Sequence, residues 1–367
     1  MKKILIAITI VLTLLALCSC GKEKYEPQPS TDEEARTVIS LSVGNKKYEV
    51  RYELYRALFI GNKDSVDGGD DSVWQGDGSA AYIDEINRII IDRAAEIYSV
   101  IHTADSLGID LYSNEVDEKI QEYIDIAVNG NEYGYEGHGS YEKYLEHLKN
   151  QGMNYAVSDL LFRYSYGLNK INEYYIGTES VLGDYNGKLE FDDDDVRAFY
   201  DGDESVRLLQ AYFQNGVRTK EQMQSFRNRL AEKDSDIDKA VYIIQSTNAT
   251  QSELVIDGEV SGIIIGKYAL DELYYSEYID AAFSLGYSEV SELIEISGVG
   301  DSYSDGYYVL VNIEKNDGYF EDHKDEIRLE YIENEIGKII YAAKNSLIES
   351  SEYTSDYNGI IHSQISR

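Results

Sequence analysis

Cysteine and proline are nearly absent from this chain of 367 residues: it holds two of each, at Cys18, Cys20, Pro27 and Pro29. Everything from Thr37 onward lacks both. The body therefore has no disulfide, no thiolate nucleophile and no thiolate metal site. It also folds without waiting on X-Pro isomerisation of its own. Positive charge is scarce as well. Lys and Arg number 33 against 68 Asp and Glu, a formal charge of −35. Such a chain is repelled by phosphate backbones and by anionic lipid surfaces, which excludes nucleic acid as a partner. No G-x-S-x-G, H-E-x-x-H or P-loop stretch occurs, and neither a cofactor nor a metal is expected. After Leu17 no segment is apolar for long enough to span a bilayer.

The first segment that is present reads as an export signal. Met1-Lys2-Lys3 is basic, and Ile4 to Leu17 carries no charge over 14 residues. That suits a signal-peptide core and falls short of the ~20 residues of a spanning helix. Leu17-Cys18-Ser19-Cys20-Gly21 then resembles a bacterial lipobox. Cys20 fits as the lipidated residue, with small Ser19 before it and aliphatic Leu17 three places back. Cys18 fits poorly, because bulky Leu17 would occupy the cleavage position. Residues 1–19 are thus expected to be a lipoprotein signal peptide and residues 20–36 a polar tether. Its last sixteen residues reach at most about 50 Å when extended. Acyl chains contribute ~0.8 kcal/mol per buried CH₂, enough for several of them to hold the protein on a membrane.

The body reads as α+β. Thr37 to Val43 and Lys47 to Val50 alternate around Gly44-Asn45, a hairpin pattern. Helical spacing follows over Tyr52 to Ile60, Ala81 to Leu107, Asn114 to Val128, Tyr141 to Leu148 and Asn154 to Ile176. Ser113 is placed as a cap and Gly108 as a stop. Asn62 to Ser79, rich in Asp and Gly, reads as a solvated loop. Twelve places on from Asp64 stands Gln75, so the loop is no EF-hand. Gly76 to Ala81 matches G-x-G-x-x-A but follows no buried strand, which the dinucleotide fingerprint needs. Asp192 to Asp195 reads as an N-cap and acidic first turn rather than a metal site. Strands are expected at Val206–Phe213, Val241–Gln245, Val290–Ile296 and Gly306–Ile313, and helices at Thr219–Glu232 and Tyr275–Leu285. One long helix, Tyr319 to Ser350, closes the chain.

Three stretches resemble the parvulin-domain foldases of the SurA and PrsA types. Ala104-Asp105-Ser106-Leu107-Gly108-Ile109, with Ser113-Asn114-Glu115-Val116-Asp117, is similar to that family's helix-turn-helix. Ala281-Ala282-Phe283-Ser284-Leu285-Gly286 through Glu289-Val290-Ser291 is similar to its "AaFsL..Ge.S" stretch. Gly306-Tyr307-Tyr308-Val309-Leu310-Val311 is similar to its closing strand. The resemblance implies a SurA-like helical bundle over residues 37–190, an inserted parvulin-like domain over 191–316, and a C-terminal helix over 317–367 packing on the N-terminal domain.

The departures carry the functional expectation. Parvulin sites pair two histidines with a Met and a Phe. Here the histidines are His102, His138, His147, His323 and His362, and none lies between Val206 and Ile313. By the resemblance, Gln210 takes the first histidine's place, Tyr308 the second's, Tyr274 falls near the Met and Tyr278 near the Phe. With Phe283 these are the candidate lining of a substrate cleft; no catalytic residue is named. The chain also holds 34 tyrosines against eight phenylalanines and one tryptophan. Tyrosine offers contact area at low entropy cost with a hydrogen-bonding tip. The resemblance thus implies a lipid-anchored chaperone on the extracytoplasmic face of a bacterial membrane, binding unfolded or secreted polypeptides without efficient prolyl isomerase activity. Two alternatives stay open: an active isomerase with an atypical site, and an assembly lipoprotein with one dedicated partner.

Overall fold

The computed structural model describes residues 25–75, 78–131, 134–177, 186–214, 216, 218–232, 236–247, 255–256, 259–260, 262–268, 276–296 and 306–354. Cys20, Tyr274 and His362 lie outside them. The described residues form an α+β fold with small antiparallel sheets. They divide into two compact units: one takes the chain up to Lys170 and again from Ala342, the other is Ile171–Tyr341.

In the first unit, β1 (Thr37–Val43) and β2 (Lys46–Arg51) pair antiparallel, with Leu41 opposite Tyr48. The turn uses Gly44 at φ 56°, a left-handed position that suits glycine. A short strand β9 (Glu352–Tyr353) joins the free edge of β1, giving the order β2-β1-β9. Two residues carry too little pattern to be found in sequence. Helix α1 (Tyr52–Asp67) runs past Ile60 into the stretch expected to be a loop. The reason is Asp67: its carboxylate is buried and accepts from Lys63 Nζ and Trp74 Nε1, each at 2.6 Å. A single turn of 3₁₀ helix (Asp71–Trp74) brings Trp74 there. Helices α2 (Ser79–Ser106), α3 (Asn114–Asn129), α4 (Tyr141–Asn150) and α5 (Tyr155–Ile176) follow. The α2 positions at helical spacing, among them Ile86, Ile90, Ala94, Ile97 and Ile101, are buried. Ser113 and Ser140 cap α3 and α4 by accepting from Val116 N and Lys143 N.

The second unit is built on a four-stranded sheet. Asp192 opens α6 (Asp193–Asp201): its side chain accepts from Asp194 N and Asp195 N, while that of Asp195 accepts from Asp192 N. The aspartate run is thus spent on a reciprocal cap. Then come β3 (Ser205–Gln214), α7 (Lys220–Ala231), α8 (Ile237–Gln245), the small hairpin β4 (Val255–Ile256) and β5 (Glu259–Val260), β6 (Ile263–Gly266), α9 (Ser276–Ser284), β7 (Ile294–Ile296) and β8 (Gly306–Asn312). The sheet order is β6-β3-β8-β7, antiparallel throughout. Odd-numbered residues of the two central strands, Leu209, Ala211, Phe213, Val309 and Val311, pack against Met223, Phe226 and Leu230 of α7 and Ala240 and Ile244 of α8. Burying each large side chain contributes ~1.5–3 kcal/mol.

Three expectations are corrected here. Val241–Gln245 is not a strand but the end of α8: Asp236 caps it by accepting from Lys239 N, and Ala240, Val241, Ile243 and Ile244 are buried at i, i+1, i+3, i+4. Tertiary burial overrode the β-branched composition. Regular pairing in Val290–Ile296 is confined to β7; Val290 makes an isolated bridge to Val311. The closing helix is two, α10 (Asp317–Asp322) and α11 (Lys324–Glu349). His323 breaks them at φ −120°, its ring stacked on Tyr319 at 4.1 Å.

One buried cation ties central strand β3 to β5 and to the approach to α10. Arg207 on β3, 4% exposed, donates from one guanidinium nitrogen to Glu314 O at 2.8 Å and from the other to Val260 O, and its plane lies 3.8 Å from the Tyr319 ring centroid. Replacing it with methionine keeps bulk but removes the donors to the Glu314 and Val260 carbonyls and the cation from the Tyr319 ring face. Arg207→Met is expected to destabilise the unit by roughly 3 kcal/mol. Urea unfolding checks this; an unchanged midpoint would contradict it.

Candidate functional site

The strand period of two places the candidate residues. On β3, Val206, Leu208, Gln210 and Tyr212 alternate with the core-facing odd residues. On β8, Tyr308 and Leu310 do the same. The register sets Gln210 opposite Leu310 and Tyr212 opposite Tyr308, and β7 adds Ile294 opposite Tyr308. This even face is covered in part by α9, through Tyr278 and Ala282, over a floor of Val206, Leu208, Ile265, Ile294, Ile296 and Leu310.

On that face the structure brings together Gln210, Tyr278 and Tyr308. The Tyr278 hydroxyl donates to Gln210 Oε1 at 2.5 Å. Its ring meets Tyr308 edge-on, centroids 5.6 Å apart at 88°. Tyr278 is 3% exposed, whereas Gln210 and Tyr308 are half-buried. A fourth member was missed in sequence. Tyr212 lies 4.7 Å from Tyr308 at 34° and widens the ring surface. The signal was available: Tyr212 stands two residues beyond Gln210 on one strand, hence on the same face.

Phe283 packs half-buried against the same cluster but lines a different concavity of about 620 Å³, with Val206, Asn312, Tyr287 and Lys315. Lys315 Nζ donates to Gly202 O and Ser205 O, both at 2.7 Å. Burial holds its pKa down at about 8.

Chemically, the Gln210 cluster offers phenols, an amide and ring faces, and no carboxylate, imidazole or amine. His102, His138 and His147 belong to the first unit, and His323 stacks on Tyr319 and meets Glu326 at 3.2 Å. The cluster can hold a chain by ring contact and hydrogen bonding. Among the described residues no group of three His, Cys, Asp or Glu is placed to hold a metal ion, and no helix is long and apolar enough to cross a membrane.

Among solved structures, the chain is similar to foldase protein PrsA from Streptococcus pneumoniae str. Canada MDR_19A, at 13% identity and a TM-score of 0.31 over 88% of this chain and 98% of that one. PrsA from Bacillus subtilis matches at 14% identity and a TM-score of 0.23, over 74% of this chain and 87% of that one. The foldase protein PrsA from Lactococcus lactis matches at 13% and 0.23, over 87% and 95%. No family model and no curated protein matches the chain.

The depressed Lys315 amine is directly observable. After reductive ¹³C-methylation, its dimethylamine signal is expected to titrate with a midpoint near pH 8, while lysines held by carboxylates, such as Lys220 and Lys324, titrate above the ordinary lysine value. The sign is set by burial, so the unfolded chain binds the extra proton between about 8 and the ordinary lysine value of 10.5, and this group's cost to stability fades as pH rises through that window. A Lys315 signal titrating with the other lysines would contradict the assignment.

Proposed function

We propose that the chain is an extracytoplasmic foldase-like chaperone, anchored by lipid at Cys20, that holds unfolded secreted polypeptides and lacks efficient prolyl isomerase activity. In this reading residues 191–316 are a parvulin-like domain whose site has changed from turnover to grip. The carrying observation is the constellation of Gln210, Tyr278 and Tyr308. At the two places where the resembled family sets histidines stand an amide and a phenol, and Tyr278 already engages that amide oxygen at 2.5 Å.

Magnitudes separate holding from turning. An aromatic contact contributes ~0.5–1.5 kcal/mol beyond its buried area, so the two half-buried rings of Tyr212 and Tyr308 are enough for weak, reversible capture of an extended segment. Prolyl rotation faces a barrier of ~18–20 kcal/mol. A thousandfold acceleration needs ~4 kcal/mol of it removed selectively in the twisted state. One neutral hydrogen bond, worth ~0.5–1.5 kcal/mol net, does not supply that. The high negative charge would keep a loaded complex dispersed and favour basic clients.

The test uses the chain from Gly21 onward. At stoichiometric excess it is expected to delay aggregation of a chemically unfolded secreted protein. Tyr212→Ser with Tyr308→Ser should weaken that effect by about thirtyfold, from ~1 kcal/mol per ring. In a coupled X-Pro peptide assay the rate should stay within about tenfold of the uncatalysed one. No delay of aggregation would sink the chaperone reading. Strong isomerisation, abolished by Tyr278→Phe and Tyr308→Phe, would establish the atypical-isomerase reading instead.

A further inference from the structure

Within the stretch expected to be a tether, residues from Tyr25 onward lie against the first unit. Tyr25 is 6% exposed. Its backbone N–H donates to Gln121 Oε1 at 2.8 Å, and its carbonyl accepts from Gln121 Nε2 at 3.1 Å. One side-chain amide thus closes both backbone groups of one residue, as a neighbouring strand would. The Tyr25 hydroxyl donates to Asp125 Oδ1 at 3.2 Å and accepts from Asn129 Nδ2 at 3.1 Å. Asn129 also donates to Asp125, at 2.9 Å, which fixes the pair. The Tyr25 ring lies 5.1 Å from that of Tyr141, whose hydroxyl donates to Glu26 O at 2.8 Å. Gln121, Asp125 and Asn129 stand four apart, so they form one stripe along α3.

We infer that this stripe of α3, with Tyr141, is a binding site for an extended polypeptide segment carrying a tyrosine, and that the chain's own Tyr25 occupies it in cis. These polar contacts are to the phenol and to the backbone of Tyr25 and Glu26. Those groups are offered by any tyrosine in an extended segment. Glu26, Pro27, Gln28 and Pro29 are themselves exposed, so the neighbouring side chains are not read. The two prolines keep the strap extended and unable to pair as a strand of its own. At its far end Ser30 Oγ donates to Glu53 Oε2 at 2.5 Å. Between the two fixings, Pro27 and Pro29 border a concavity of about 1100 Å³ that Tyr48, Tyr98, Tyr112 and Tyr155 also line. A longer incoming segment finds ring surface there that the strap leaves uncovered. The site lies in the first unit and stands independently of the Gln210 cluster.

A cis occupant on a short linker competes at an effective concentration of order millimolar. Removing it should therefore reveal the site. A fluorescein-labelled peptide of residues 24–31 is titrated onto the chain from Gly21 onward and onto its Tyr25→Ala variant. The variant is expected to bind the peptide at least about tenfold more tightly. Adding Gln121→Ala should remove that gain, and a peptide carrying alanine for the tyrosine should bind neither chain. Equal affinity for the two chains, a gain that survives Gln121→Ala, or equal binding of the alanine peptide would overturn the inference. A second measurement needs no variant. On the unaltered chain, millimolar peptide should speed amide hydrogen exchange at Tyr25; exchange unchanged at that concentration would overturn it equally.

Discussion

The second unit depends on the register between β3 and β8. Seven residue pairs fix it, from Leu208–Asn312 to Gln214–Gly306. Both faces of these strands are used, for opposite purposes. The odd residues fill an apolar core against α7 and α8, and the even ones carry the polar and aromatic cluster beside α9. A slip of one residue on β3 would send Gln210 and Tyr212 into the space held by Leu209, Ala211 and Phe213. Burying an amide without its partner costs several kilocalories per mole, and large side chains would be exposed in exchange. The site geometry is therefore a by-product of core packing. Tyr278 and Tyr308 can meet edge-on only because Met223, Phe226 and Ile244 hold the sheet from behind. The Phe213–Gly306 neighbourhood shows how tight that hold is. A Cβ on Gly306 would stand 2.4 Å from Phe213 O, so glycine is required where β8 begins.

Local signals were the legible ones. Ser113 and Asp192 each cap the helix they precede, because a short acceptor side chain one residue before an apolar-periodic run has few other uses. Gly108, at φ 76°, stops α2 where the pattern ends. What was not legible was set by distant partners. Asp67 reads as a loop acid until Trp74 and Lys63 are seen around it. Val241 to Gln245 reads as a strand until the sheet that buries one side of it is present. The break at His323 comes from a ring stacked on Tyr319, and β9 from an edge of β1 left open more than three hundred residues earlier in the chain. The same division holds for the sites. Period two was enough to find Tyr212. Tyr25 was invisible, because a tyrosine between charged residues and prolines gives no hint of a helix stripe waiting about a hundred residues on.

The abundance of tyrosine has one physical cause in the cores and another at the surfaces. A buried phenol must find a partner for its hydroxyl, and the first unit supplies these one at a time. Tyr55 donates to Asn87 at 2.8 Å, Tyr98 to Glu49 O at 2.8 Å and Tyr164 to Glu96 at 3.2 Å. Asn87 and Glu96 are buried polar groups in turn; Glu96 is pushed up in pKa by its own desolvation, against the pull of Arg93 and Lys344. Phenylalanine at Tyr55 would remove the donor that the buried Asn87 Oδ1 accepts from, so here tyrosine is a structural element of a polar-studded core and carries no message about ligands. The hydroxyl of Tyr25 is satisfied in the same way, yet its acceptor and donor come from a helix it reaches across a hundred residues, and its backbone is satisfied too. A core tyrosine inherits its backbone bonds from its own strand or helix. Tyr25 is held through both its backbone N–H and its carbonyl by the Gln121 side chain, which is how a protein grips a segment that belongs to no element of its fold.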